Sequence, residues 1–328
     1  MLRAAAAVVG ALLAVMAAAA PLRAQGGLST EGALFLLVPV GARTVGFGQA
    51  AVVAEAGTES LWGNPAGIAR ITRPEAALLT SKTVVADGMA VGLVFPAGKA
   101  GVLGLGARLY DYGVQDNTDR LTGETIGQII PRAVVLAATY SATITKSLRA
   151  GLTYERVQSR VDCSGPCGSG GTEPFKVSTS AVDAGLQFQA PRPDSLTFGL
   201  MVRSMGLKLQ VYDISQSDPL PTRLHLGVGG RMPRVAAALA GAAMRWAEEI
   251  VNRTSLDQPA VRLGAELGLQ KQLFLRAGYA SGTGESTGPA IGLGFVRGAL
   301  GIDFARVFGG FSSDAGQPPT FLTLRVNW

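Results

Sequence analysis

Three groups of residues in this chain are of types that can do chemistry. Gly284-Glu285-Ser286-Thr287-Gly288 fits the G-x-S-x-G pattern, in which a serine raised on a sharp turn attacks an acyl group. That serine needs a strand-to-helix turn and a histidine base, and the chain has one histidine, His225. The pattern here lies in a glycine-rich loop between two alternating segments. We therefore read it as a connection without catalytic function, and His225 as an interior hydrogen-bonding group. The second group is Cys163 and Cys167, in the sequence CSGPC. In an exported protein this spacing suits a local disulfide, with free thiols as the alternative. A metal site would need further ligands, and His225 is remote in sequence. The third group is Arg108, Glu155, Asp183, His225, Arg262, Glu266, Arg276 and Asp303, which share the polar face of their segments. They could pair with one another and seal an interior, or form a charged track for a substrate. Walker and EF-hand loops are absent from the sequence. We assign no catalytic, cofactor-binding or metal-binding residue, and expect no cofactor and no enzymatic activity.

The elements that carry these residues follow a period of two. Leu103, Leu105, Ala107 and Leu109 alternate with Val102, Gly104, Gly106 and Arg108. Leu224, Leu226 and Val228 alternate with Arg223, His225, Gly227 and Gly229. The same holds for Val182–Phe188 against Asp183–Gln189, and for Val261–Leu269 against Arg262–Gln270. One face is apolar and the other small or polar, as in a membrane barrel strand. On this register Leu263 and Leu267 face lipid, and Gly264, on the other face, should accept serine. Composition agrees. The chain is 48% hydrophobic and only 16% charged, with mean hydropathy +0.29. Forty-four glycines among 328 residues oppose long helices and suit curved sheets. The net charge of +6 is scattered, without a Lys/Arg block, so we expect no nucleic-acid partner.

Fourteen strands are expected, near 75–81, 88–95, 101–110, 133–145, 148–160, 175–189, 195–207, 222–231, 234–246, 259–269, 272–280, 288–296, 299–307 and 320–328. From the second strand onward the connections alternate short and long, the long ones being 111–132, 161–174, 208–221, 247–258, 281–287 and 308–319. Outer-membrane barrels sort their loops in this way, with short turns on the periplasmic side. Segment 234–250 is alanine-rich and compatible with a helix. We take 234–246 as a strand because the parity requires one. The fold class is thus all-β: a transmembrane antiparallel barrel of about 14 strands.

Residues 1–24 read as a cleaved export signal: Arg3, then the apolar run Ala4–Ala20, then a break at Pro21. Residues 25–74 form a separate segment and 75–328 the barrel. Within the segment, Gly46, Phe47 and Gly48 precede a compact block, Trp62-Gly63-Asn64-Pro65-Ala66-Gly67. Pro65 restricts Asn64 to extended geometry and Gly67 permits a positive φ. The segment is either a folded arm packed by Trp62 and Phe47 or a plug inside the barrel. The C-terminus, Phe321 to Trp328, alternates and ends on an aromatic residue suited to a membrane interface.

The block G-A-R-x-x-G-x-G followed by W-x-N-P-A-G resembles the N-terminal signature of PorV/PorQ-type outer-membrane proteins, within the wider group of FadL-like barrels. Leu220-Pro221-Thr222, Leu275-Arg276-Ala277-Gly278-Tyr279 and Gly292-Leu293-Gly294-Phe295 extend the likeness. The resemblance implies a bacterial outer-membrane location, a fourteen-stranded barrel with an N-terminal plug (the hatch), and no catalysis. It implies two roles: passage of hydrophobic small molecules, or docking within a type IX protein secretion system. Partners would then be outer-membrane lipid, hydrophobic small molecules or secretion-system proteins.

Overall fold

In a computed structural model, residues 31–54, 57–119, 121–165, 175–191, 196–210, 217–232, 242–253, 259–282 and 286–328 are described. The export signal, Cys167 and residues 283–285 of the G-x-S-x-G loop lie outside them.

The chain forms a closed antiparallel barrel of 14 strands. In chain order the strands are β1 (Glu75–Lys82), β2 (Asp87–Pro96), β3 (Val102–Asp111), β4 (Gln115–Thr118), β5 (Thr125–Thr143), β6 (Leu148–Ser164), β7 (Phe175–Gln189), β8 (Thr197–Gly206), β9 (Leu209–Gln210) and β10 (Ser217–Asp218). They continue with β11 (Arg223–Arg231), β12 (Ala242–Arg253), β13 (Ala260–Leu269), β14 (Leu273–Ala280), β15 (Gly288–Arg297), β16 (Leu300–Val307) and β17 (Thr320–Asn327). Of these, β4 extends the sheet beside β5, and β9 and β10 form a small hairpin in the 207–222 connection. The ring closes where β1 meets β17, with Glu75 opposite Asn327 and Lys82 opposite Thr320. Every barrel strand therefore has two partners, so no backbone edge is left open to a hydrocarbon phase.

Alternation sorts side chains to two environments. Leu103, Leu105, Leu263, Leu275, Ile291, Leu293 and Phe304 are exposed on the outside. Arg108, Glu155, Asp183, His225, Glu266, Arg276 and Asp303 are buried on the inside, and Arg262 is half-buried there. A run of four barrel strands, β5 to β8, includes the three longest, at 19, 17 and 15 residues, which stand above the rest at the long-loop end.

One strand departs from its expected place. The ninth is Ala242–Arg253 where 234–246 is expected, so it runs on past the expected end, and residues 233–241 lie outside the described ones. The reason is the sequence VAAALAGAA, which carries no contrast between faces and leaves the strand start unmarked. What fixes the strand instead is pairing: Trp246 opposite Ala265, and Glu249 opposite Arg262.

Residues 31–74 run inside the barrel as short helical turns: Leu34–Leu37, Ala42–Gly46, Gly57–Trp62 and Pro65–Arg70. Glycines on the inward faces of the strands make room for them. A Cβ on Gly264 would lie 2.3 Å from the carbonyl oxygen of Phe47, and one on Gly185 1.9 Å from Oδ1 of Asn64. Gly264 therefore cannot accept serine without displacing the inner segment. Gly67 does not take up a positive φ. It is needed because a side chain there would meet Oγ of Ser60 at 2.7 Å.

Candidate functional site

The inner segment is fastened by side chains of both partners. Asn64 is extended (φ −73°, ψ 112°) as Pro65 demands, and its Oδ1 accepts the N–H of Ala66. Its amide donates to the carbonyls of Val52, at 2.7 Å, and Leu186 on β7, at 3.3 Å. One residue thus ties two parts of the segment to each other and to the wall. Gln187 on β7 donates to the same Val52 carbonyl.

Buried carboxylates satisfy the free N–H groups of the short turns. Glu59 accepts from the N–H groups of Arg43 and Thr44, from Oγ1 of Thr44, and from Oγ1 of Thr323 on β17. Thr323 in turn accepts from the N–H of Ala42. Glu75 takes both the N–H and the hydroxyl of Thr58. Glu249 accepts the N–H of Val52 at 2.9 Å and contacts His225 Nδ1 at 2.7 Å and Arg262 at 3.3 Å. Arg262 also donates to the carbonyl of Gln49, and the Gln49 amide donates to the carbonyl of Ser286.

These contacts define the roles of the residues singled out above. His225 is committed to Glu249. Oγ of Ser286 has no hydrogen-bond partner among the described residues, and Ser286 sits between two strands. A nucleophile–base pair is not assembled there. Arg276 bridges Glu266 at 2.7 Å and Asp303 at 2.8 Å, and Arg325 holds the other oxygen of Asp303 at 3.1 Å. Arg108 lies 3.9 Å from Glu155, and Arg203 lies 3.7 Å from Asp183. Both distances allow an ion pair but not a hydrogen bond. The guanidinium of Arg108 rests over Trp62 at 5.3 Å and Tyr110 at 5.9 Å. Cys163 ends β6 at the long-loop end and is not a free thiol. Glu59, Glu75, Gln187, Arg203, Glu249, Thr323 and Arg325 were not singled out from the sequence. Glu249 escaped because it fell in the stretch assigned to a loop.

Along the barrel axis the interior is layered. At the long-loop end Phe35, Leu36, Tyr110, Val135, Val157 and Leu220 form an apolar cluster. Beneath it come the Arg108 group and then the body of the inner segment. At the short-turn end a cavity of about 80 Å³ opens, lined by Phe47, Val53, Arg43, Arg245, Glu266 and Arg276 among others.

The fold is shared with solved transporter structures. The Ralstonia pickettii toluene transporter TbuX superposes with a TM-score of 0.60 at 12% identity, over 88% of this chain and 98% of that one. The Pseudomonas putida toluene transporter TodX gives 0.55 at 13% identity, over 88% and 96%. A Pseudomonas aeruginosa FadL homologue gives 0.53 at 11% identity, over 89% and 98%. No family model and no curated protein matches the sequence.

Proposed function

We propose that this chain is a non-enzymatic outer-membrane barrel that lets small hydrophobic molecules pass, with residues 31–74 acting as a movable plug. The observation that carries the reading is the interior itself. The lumen is filled by a separate segment held through side-chain hydrogen bonds, with an apolar cluster at one end and a cavity at the other. That arrangement occurs in a fold shared with proteins described as toluene transporters. Once the plug moves, an apolar solute can replace its contacts with Phe35, Leu36 and Val157 without stranding a polar group, while among the described residues water and ions meet no continuous polar channel. The exposed outer band of Leu, Ile and Phe fits a lipid surround.

A docking role in type IX secretion rests on the likeness of the N-terminal block alone. The 207–222 connection, the longest to bridge two barrel strands at the outer end, sends Leu209 and Leu220 into the interior cluster. Those two inward anchors favour passage. The test is uptake of labelled toluene by cells producing the protein against cells with an empty vector. Faster uptake supports passage. Equal uptake, with secretion components co-purifying, supports docking.

A further inference from the structure

The two ends of the barrel differ in charge. At the short-turn end six basic residues are exposed, each on its own connection or strand end: Arg73, Lys99, Lys146, Arg231, Lys271 and Arg297. Among the described residues none of the six is in an ion pair, and no exposed Asp or Glu lies on that rim. The carboxylates there, Glu75 and Glu266, are buried and bonded inward. Exposed acids such as Asp87, Asp116, Glu124 and Asp314 stand at the opposite end. Among the described residues this rim thus carries exposed cations without exposed carboxylates beside them.

Its position says what it meets. Arg297, Lys146 and Lys271 adjoin the outward apolar band, whereas Arg231 stands at the mouth of the interior cavity. Arg297 continues the outward row Ile291, Leu293, Phe295, all about half exposed. Lys146 follows Ile144 by two residues, and Lys271 precedes Leu273 by two, both apolar neighbours exposed. Trp328 packs edge-on against Phe95 at 6.3 Å on the same rim, as interfacial aromatics do. Long basic side chains at such a boundary lay their stems on the hydrocarbon and extend their charge to the headgroups. A soluble acidic protein would instead meet the turn tips, among which Ala97-Gly98 and Gly298-Ala299 are short and built of small residues. We propose that this rim binds the phosphate headgroups of anionic phospholipids in the leaflet nearest the short turns, and so fixes the depth and tilt of the barrel. The proposal rests on the outer-membrane reading above but not on the identity of any solute.

The experiment uses the purified, folded full-length protein in non-ionic micelles doped with phosphatidylglycerol, phosphatidylcholine or lipopolysaccharide, with retained lipid counted by native mass spectrometry. Retention of phosphatidylglycerol over phosphatidylcholine is expected, with each cation worth about fivefold in affinity. The preference should weaken in high salt. K99S/K146S/K271S/R297S should lose it while still shifting on a gel between folded and boiled forms. Equal retention of the two phospholipids overturns the proposal, as does a quadruple variant that keeps the preference. Retention of lipopolysaccharide alone places the lipid contact at the other rim and also overturns it. If soluble polyglutamate binds these residues and phosphatidylglycerol does not, the partner is an acidic protein and the lipid assignment fails. A protein that retains phosphatidylglycerol but moves no toluene defeats the passage reading only. One that moves toluene without lipid preference defeats this proposal only.

Discussion

Gly46 of the inner segment and Gly292 of β15 meet backbone to backbone. A Cβ built on Gly46 would stand 2.8 Å from Cα of Gly292, and one on Gly292 would stand 3.0 Å from Cα of Gly46. The contact recurs with other pairs: Gly48 against Gly278, Pro65 against Gly151, Val52 against Gly199. Many inward glycines of the strands are thus the footprint of the segment on the wall.

Replacing Gly292 with valine should push this segment away. Overpacking of this kind costs about 1–3 kcal/mol, read as a lower urea midpoint for loss of the folded gel band. Ala265→Val, on the outward face of β13, should stay within about 0.5 kcal/mol of the parent. Equal midpoints for the two variants would show that the segment does not bear on β15.

Asp303 is fully buried between Arg276 and Arg325. Asp303→Asn leaves two interior guanidinium groups short of a counter-charge. Loss of one partner of a buried pair costs about 3–5 kcal/mol. Urea unfolding of the variant should show a loss of that order. A change under about 1 kcal/mol would mean that water reaches the pair.

The two faces of β13 give a third test. Leu263→Arg puts a charge on the outward band, at about 2–4 kcal/mol near mid-membrane. Gly264→Ser should also impair assembly, because its Cβ meets Phe47. Gly264→Ser should recover when the inner segment is deleted, whereas Leu263→Arg should not. Recovery of both, or of neither, would contradict the register.

The barrel was legible because a half-polar strand writes itself in single residues. Every second position from Leu103 to Leu109, or from Val261 to Leu269, declares its side. The start of β12 was not, since alanine and glycine suit either face. Its outward row also includes Glu248, opposite Val228 and Leu263, which blurs the pattern. The inward charges could be assigned a face but not partners. Pairing Asp303 with Arg325, or Glu59 with Thr323, joins residues 22 and 264 positions apart. The first depends on the register of β16 against β17 and the second on the segment sitting inside the closed ring, and alternation within one strand encodes neither.

Orientation can be read from the cysteines. Cys163 lies at the long-loop end of β6, while Cys167 falls outside the described residues. If that end faces outward and the two form a disulfide, intact cells should label with an impermeant thiol reagent only after reduction. Labelling confined to lysed cells would invert the topology. Labelling without reduction would exclude the disulfide.

Conductance tests the plug. An aqueous path would have to cross the Phe35 cluster, the Arg108 group and the body of the segment, all buried. The intact protein should therefore show little steady conductance in planar bilayers. The fastening is local, and Glu249 is one of its centres, joining Val52, His225 and Arg262. Gly48 and Gln49, both with positive φ, lie just before it and shape the bend there. Glu249→Gln removes the charge opposite Arg262 and weakens the hold on residues 49–52, so brief openings should become frequent. Deleting 41–70 should convert them into a steady current, provided the barrel still assembles. A large, steady conductance from the unaltered protein would refute the plug, and with it passage that depends on plug movement. A silent deletion variant that still shows the folded gel shift would place the barrier elsewhere, in the apolar cluster at the long-loop end.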